Sequence, residues 1–239
     1  MRCATEEVHI WRIGLDTTIA NVARLRATLS REERQRAERF RATKLRRRWT
    51  VVRGALRRIL ATYVQADPQF LEFCVEPYGK LELVRPCRDI SFNLSHTGGV
   101  ALLAVANRRR VGIDAEAVCS GIEVEEICRR FFAPPEAAEI LALSPEAQLR
   151  AFFATWTRKE AFVKALGGGL SVPLEDFRVT VGPKEPARLL SVNWDESAQW
   201  SLVDLSEPNM AATLAVEGVD SVVRRFDFHH RLPKVLVFA

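Results

Sequence analysis

The order of the predicted secondary-structure elements repeats once along the chain, and this repeat limits the fold more than any other feature. A strand, a helical stretch and further strands up to residue 106 are followed by a second strand at residues 111–116, which opens a second round of helices and strands. The two rounds share no convincing sequence identity. The predicted fold class is α+β, with two similar subdomains related by a pseudo-twofold duplication and a ligand cleft between them. We place the two halves at residues 1–107 and 108–239.

Local signals predict where several elements begin and end. Ser30 followed by Glu33 resembles a capping box, and the helical pattern after it is expected to break near residues 42–43. Ser144 with a proline after it is a predicted helix start, and Gly167 is the predicted end of that helix. Residues 95–99 are predicted to form a loop between two strands.

Composition limits the compartment and the covalent chemistry of the chain. Of its 239 residues 48% are hydrophobic, but the longest apolar run near the middle, residues 100–106, is far shorter than the roughly 20 residues of a membrane helix. The N-terminus lacks the apolar segment of a signal peptide, so we expect a cytoplasmic protein without a membrane partner. Five cysteines form no C-x-x-C pair and are read as reduced thiols. Two halves in one chain make a monomer sufficient.

Positive charge is concentrated at the start of the chain. Residues 1–60 contain 16 Lys and Arg against 6 Asp and Glu, a net charge of +10, whereas the whole chain has a net charge of +5. Much of this charge lies between Arg31 and Arg58 on a stretch whose apolar residues keep helical spacing. Nucleic acid, an acidic protein or a phosphorylated ligand would each match such a face, as would a solvated surface without any ligand.

Two pairs of charged residues are candidates for a catalytic centre. Asp114 and Glu116 are spaced i, i+2 on a predicted strand, so both project from one face and suit a hard cation. Glu160 and Lys164 are spaced i, i+4 on a predicted helix, so they point the same way. Glu160 interrupts the apolar stripe of that helix, where a buried carboxylate needs a cation or hydrogen-bond donors. A simple Glu160–Lys164 ion pair on a partly solvated face is the alternative interpretation.

These two motifs together resemble the phosphopantetheinyl transferase superfamily, and specifically its Sfp-type enzymes. The paired signature consists of Gly-Ile-Asp-x-Glu at residues 112–116 and Trp-Thr-x-Lys-Glu-Ala-x-x-Lys at residues 156–164. Tyr-Gly-Lys at residues 78–80, Phe-Asn-Leu-Ser-His-Thr-Gly at residues 92–98 and the basic helix with Arg48 agree in order. The chain departs from the family's Gly-Lys-Pro at Leu81, which leaves the position of Lys80 less constrained.

The resemblance implies an activity and a set of site residues. The activity is that of a holo-[carrier protein] synthase, which transfers the 4′-phosphopantetheine arm of coenzyme A to a serine of an acyl or peptidyl carrier protein and releases 3′,5′-ADP. Such carriers serve polyketide, nonribosomal peptide or fatty-acid assembly. The implied Mg²⁺ ligands are Asp114, Glu116 and Glu160, and the implied catalytic residues are Glu160, as the base for the serine proton directly or through a metal-bound water, and Lys164, on the leaving phosphate. The implied coenzyme A contacts are Arg48, Lys80, Ser95, His96, Asp114 and Lys164.

Three other functions fit part of the sequence. A Mg²⁺-dependent nuclease or phosphohydrolase would also use three carboxylates, a lysine and a basic lobe. A nucleic-acid-binding module would explain the basic lobe but not the acid on the apolar stripe, so we expect no nucleic-acid partner. A family member that has lost catalysis is a third alternative, although every implied group is present.

Overall fold

The two rounds of elements that the sequence predicts are present in the structure, a computed structural model that describes residues 1–85, 89–183, 185–194 and 196–230. The first round consists of β1 (Glu7–Gly14), α1 (Ile19–Ala27), α2 (Arg31–Glu38), α3 (Thr43–Val64), β2 (Glu72–Val75), β3 (Leu81–Arg85), β4 (Ile90–Thr97) and β5 (Val100–Asn107). The second consists of β6 (Val111–Ala117), α4 (Val124–Phe131), α5 (Pro134–Leu141), α6 (Pro145–Leu166), β7 (Phe177–Val179), β8 (Leu189–Val192), β9 (Trp200–Asp204), β10 (Met210–Glu217) and β11 (Val222–Asp227).

The two rounds form sheets with the same strand order. In the first sheet β5 lies between β1 and β4, and in the second β10 lies between β6 and β9, with antiparallel pairing throughout these two sets. Each round also contains one helix of 22 residues, α3 or α6, followed by a two-stranded hairpin. The predicted α+β fold with two similar halves is therefore confirmed. The division at residue 107 remains a prediction, and β11 from the second range pairs in parallel with β1 of the first.

The predicted helix boundaries agree with the structure because they depend on local signals. Ser30 and Glu33 form the capping box at the start of α2, and the break before α3 falls at residues 39–42. Gly167 ends α6 in the left-handed conformation, with φ of 77°. None of the helices in the described residues is both long and apolar enough to cross a membrane. Of the five cysteines, Cys87 lies outside the described residues, and the other four are free thiols.

The predicted loop at residues 95–99 was wrong in its first part. Strand β4 continues through Thr97, and only residues 98–99 form the turn to β5. Ser95 and Thr97 continue the strand because their backbones pair with β5, while their hydroxyl groups accept hydrogen bonds from β6. That second partner lies about 20 residues further along the chain, so no local signal indicated it.

A buried ion pair fixes α6 against α5 and the segment that follows α6. Lys159 and Glu136 are both fully buried, and Lys159 Nζ lies 2.7 Å from Glu136 Oε2. The ammonium also donates to the carbonyl oxygens of Leu174 at 2.8 Å and Phe177 at 2.6 Å. Glu136 in turn accepts from two backbone amides. Every polar atom of the pair is therefore satisfied, which a charge buried this deeply requires.

Replacing Lys159 with methionine is expected to lower the free energy of unfolding by about 3–5 kcal/mol, because it leaves the Glu136 carboxylate buried without its cation. The double variant Glu136→Gln/Lys159→Met is expected to regain part of that loss, since the amide oxygen still accepts a backbone hydrogen bond and carries no charge. Denaturant unfolding of the three proteins measures this difference. A double variant no more stable than Lys159→Met would show that the unpaired charge is not the cause.

Candidate active site

A cavity of about 790 Å³ lies between the two halves, where the sequence predicted a ligand cleft. The first half contributes residues of α3, of the turn between β2 and β3, and of β4, and the second half contributes residues of α4 and α6 and the segment 167–175. Trp156, Glu160, Val163 and Lys164 of α6 all line this cavity. The part of the apolar stripe of α6 that Glu160 interrupts therefore faces the cavity and not a closed core.

Close contact between β6 and α6 brings the two charged pairs together. A Cβ atom added at Gly112 would lie 2.1 Å from the carbonyl oxygen of Ala161 and 2.4 Å from the backbone nitrogen of Ala165. Only glycine allows the strand and the helix to approach this closely. Sequence reasoning missed this role of Gly112. The small residues Ala161 and Ala165, spaced i, i+4, were the signal that could have indicated it.

Asp114 is the best-connected acid of the site. Its side chain is buried, and its Oδ1 accepts hydrogen bonds from Lys164 Nζ at 2.6 Å and from Ser95 Oγ at 3.1 Å. Its Oδ2 is buried and has no hydrogen-bond partner within the described residues. A buried carboxylate oxygen without a donor is costly, so this atom is suited to an additional cation.

The alternative Glu160–Lys164 ion pair is wrong for this structure. Lys164 pairs across to Asp114, and the described residues contain no salt bridge between Lys164 and Glu160. Asp114 is buried whereas Glu160 is only partly buried, so the charge of Asp114 is less screened by water and attracts the ammonium more strongly. The helical spacing of Glu160 and Lys164 makes an ion pair between them possible, but the ion pair between Lys164 and Asp114 is more favourable.

Glu160 and Glu116 carry carboxylates that are unfavourable in the ionised form. Burial raises the pKa of each above its usual value, and the negative charge of Asp114 raises both pKa values further, while Lys164 offsets part of the effect. Within the described residues no hydrogen bond or ion pair satisfies the Glu160 carboxylate, so these residues do not supply the partner that was predicted for it. A cation bound among the three acids would stabilise their ionised forms.

The chemistry of these three acids fits Mg²⁺, although their side chains are not already arranged around one metal position. Among the residues that the structure describes, no group of three or more His, Cys, Asp or Glu side chains is arranged to hold a metal ion. The fit rests instead on the unpartnered Asp114 Oδ2 and on the raised pKa values of Glu116 and Glu160. Mg²⁺ prefers such oxygen ligands and retains waters and substrate phosphates. The metal assignment remains a prediction.

The other predicted site residues fall into two groups. Lys80 lines the cavity, and its ammonium donates to the carbonyl oxygen of Ala165 at 3.2 Å, with a pKa lowered by burial. Arg48, on α3, and His96, near the end of β4, do not line the cavity. Arg48 donates to the Gly98 carbonyl and to both oxygens of Asp16, whose pKa it lowers, whereas His96 is exposed.

The basic lobe is partly neutralised within the fold. Arg53 and Arg57 both pair with Glu33, and Arg48 pairs with Asp16. Seven further cations of α2, of the start of α3 and of the residues between them are exposed, namely Arg31, Arg36, Arg39, Arg41, Lys44, Arg46 and Arg47. An anionic partner for this surface remains a prediction.

Similarity to known proteins agrees with this constellation. The family model described as 4′-phosphopantetheinyl transferase superfamily matches residues 110–216. The protein named 4′-phosphopantetheinyl transferase HetI from Nostoc sp. is 39% identical over 217 residues, which cover 90% of this chain and 89% of that protein. The 4′-phosphopantetheinyl transferase Sfp from Bacillus subtilis is 32% identical over 160 residues, which cover 65% of this chain and 68% of that protein. The chain belongs to the 4′-phosphopantetheinyl transferase superfamily.

Membership in the phosphopantetheinyl transferase superfamily confirms the family that the two motifs predicted, and it disfavours the nuclease and nucleic-acid-binding alternatives. The matched range begins one residue before β6 and ends within β10, so it includes Asp114, Glu116, Glu160 and Lys164. Arg48, Lys80, Ser95 and His96 lie before it. The individual roles of these residues stay predictions.

Proposed function

We propose that this protein transfers the 4′-phosphopantetheine arm of coenzyme A to a serine hydroxyl of an acyl or peptidyl carrier protein and releases 3′,5′-ADP. One observation carries the proposal beyond family membership. The motif residues Asp114, Glu160 and Lys164 come from two separate elements and meet beside a cavity between the halves. The carriers proposed are those of polyketide, nonribosomal peptide or fatty-acid assembly.

The chemical step needs a base for the serine and a cation for the leaving group. The serine oxygen forms a bond to the β-phosphorus of coenzyme A, while the bond from that phosphorus to the oxygen bridging to the α-phosphate breaks. Glu160 takes the serine proton, and its raised pKa makes it a better base than an exposed glutamate. Lys164 faces the negative charge that develops on the leaving 3′,5′-ADP. Mg²⁺ held by Asp114, Glu116 and Glu160 would supply positive charge beside the pyrophosphate.

Lys164 has a resting partner that fits this role. Its ammonium donates to Asp114 Oδ1 at 2.6 Å and to Ser95 Oγ at 3.4 Å, and its side chain lines the cavity and is about one-third exposed. A lysine ammonium is a compact charge with three donors, so it is able to keep one bond to Asp114 while it faces a phosphate. The Asp114 carboxylate thus positions the Lys164 ammonium and leaves it accessible from the cavity.

Intact-mass spectrometry of an apo carrier protein tests the proposed function. We expect the carrier to gain one phosphopantetheine arm when it is incubated with this protein, coenzyme A and Mg²⁺, and to gain none when the coenzyme or the protein is left out. No gain with several acyl and peptidyl carriers would contradict the proposal. Duplex DNA binding would then be measured, because the disfavoured alternatives require it.

The Lys164→Ala variant is expected to lower kcat about 10²–10³-fold, while the affinity for coenzyme A changes much less, because the ammonium stabilises charge that appears mainly during bond breaking. Single-turnover rates and calorimetric binding of coenzyme A separate the two quantities. Lys164→Arg, which keeps the charge but not the shape, is the matched comparison. An alanine variant with unchanged kcat would rule out this role for Lys164.

A further inference from the structure

Strands β4 and β6 lie side by side at the junction of the two halves, but they belong to different sheets and are joined through side chains. Three alternate residues of β4 accept hydrogen bonds from three alternate backbone amides of β6. Asn93 Oδ1 accepts from Ile113 N at 2.9 Å, Ser95 Oγ from Ala115 N at 3.3 Å, and Thr97 Oγ1 from Ala117 N at 2.9 Å. We call these three bonds the polar ladder.

The spacing of the polar ladder follows from strand geometry. Side chains at i and i+2 point to the same face of a strand, so the three acceptors of β4 form one row. Strand β6 is an edge strand, paired with β10 on its other side, and its free edge would leave these amides without partners. The row of β4 side chains satisfies them, as buried backbone donors require.

The polar ladder encloses the acidic pair. Asp114 lies between the first and second of the bonded amides, and Glu116 lies between the second and third. Side chains alternate along β6, so both acids point away from Ile113 and Ala115, which are buried in a core cluster. Fixing the three amides therefore fixes the backbone from which both acids project.

Ser95 links the polar ladder to the catalytic groups directly. Its hydroxyl donates to Asp114 Oδ1 at 3.1 Å and accepts from Ala115 N and from Lys164 Nζ, the latter at 3.4 Å. One donor and two acceptor positions are the full capacity of a serine hydroxyl. The hydrogen bonds of Ser95 are thus already used within the protein, which makes its side chain better suited to orienting Asp114 than to binding coenzyme A.

We propose that Asn93, Ser95 and Thr97 are positioning residues, which hold β6 in register against the first half so that Asp114 and Glu116 face Glu160 and Lys164 of α6. This inference rests on the proposed function, because it assigns the polar ladder to that reaction. A strand that slips by one residue turns every side chain to the opposite face, so register decides whether the two acids reach the site at all. Residues that orient metal ligands are worth about 10–100-fold in affinity or activity.

Thr97 allows the most direct test, because it does not line the cavity and its side-chain hydrogen bond goes to Ala117 and not to Asp114. Thr97→Val keeps the shape and removes the acceptor, Thr97→Ser keeps the hydroxyl, and Thr62→Val removes a hydroxyl that bonds only within α3. We expect Thr97→Val to lower kcat and Mg²⁺ affinity about tenfold, with little change in the KM for coenzyme A. Thr97→Ser is expected to restore both, and Thr62→Val to change neither.

Amide hydrogen exchange gives a readout that does not depend on catalysis, and its first part needs only the wild-type protein. In the wild-type protein the amides of Ile113, Ala115 and Ala117 are expected to be protected although β6 is an edge strand, and Thr97→Val is expected to speed exchange at Ala117. Unprotected amides in the wild type would overturn the polar ladder itself. Wild-type Mg²⁺ affinity and kcat in Thr97→Val, or equal losses in Thr97→Ser, would overturn its positioning role. A wild-type protein that loads no carrier contradicts the proposed function instead, while exchange and Mg²⁺ binding still test the ladder.

Discussion

The Glu160→Gln variant is expected to lose phosphopantetheine transfer by about 10²–10⁴-fold, the range that a general base contributes. Glutamine keeps the shape of the side chain and its place on the cavity wall, but it neither accepts the serine proton nor supplies a negative charge to a cation. Carrier loading followed by intact mass, with the Glu160→Asp variant as the matched acid, measures the loss. Transfer at the wild-type rate by Glu160→Gln would show that another group accepts the proton.

The same variant is expected to keep or raise the melting temperature in the absence of divalent cations. Burial and the charge of Asp114 hold the pKa of Glu160 above its usual value, so the folded protein binds this proton more tightly than the unfolded chain does. Stability from this group is therefore lost as the pH rises from the unfolded pKa through the raised folded pKa. Glutamine removes that pH dependence. A lower melting temperature for Glu160→Gln across this window would contradict the electrostatic account.

The helix boundaries could be predicted from the sequence because their causes are local. The capping box of Ser30 and Glu33 and the left-handed Gly167 each act within a few residues of the helix end that they define. The repeated order of elements was likewise visible as a change of hydrophobic period, and it led to the correct fold. Strand β4 was predicted too short because residues 95–97 resemble a polar loop, although their backbones pair with β5 and the strand that bonds to their side chains, β6, lies about 20 residues further along the chain.

Candidate site residues could be chosen from the sequence, but the ion pairing among them could not be predicted. Helical spacing offered Glu160 as the partner of Lys164, whereas the ammonium bonds to Asp114, 50 residues earlier. Choosing between the two acids requires their relative burial, which depends on how closely β6 and α6 pack. The same limit hid the burial of Lys159, which precedes Glu160 in the motif and forms a fully buried ion pair with Glu136.

Replacing Gly112 with alanine is expected to affect both stability and catalysis, because the close packing of β6 on α6 depends on this residue. The new Cβ would lie 2.1 Å from the Ala161 oxygen and 2.4 Å from the Ala165 nitrogen, and both are backbone atoms that cannot rotate away. The strand and the helix must separate by about 1 Å or more to restore van der Waals contact. Overpacking of this kind costs about 1–3 kcal/mol of unfolding free energy.

The separation also changes the geometry of the site, because Asp114 and Glu116 move with β6 while Glu160 and Lys164 move with α6. A displacement of about 1 Å between catalytic groups costs about 10²-fold in rate, so we expect kcat to fall by that factor even in the folded fraction. Gly14→Ala is the matched control, since it lies in β1 and a Cβ there meets nothing within 4 Å. Carrier loading and denaturant unfolding of both variants measure the two effects. Equal kcat for Gly112→Ala and Gly14→Ala would mean that the distance between β6 and α6 does not control the reaction.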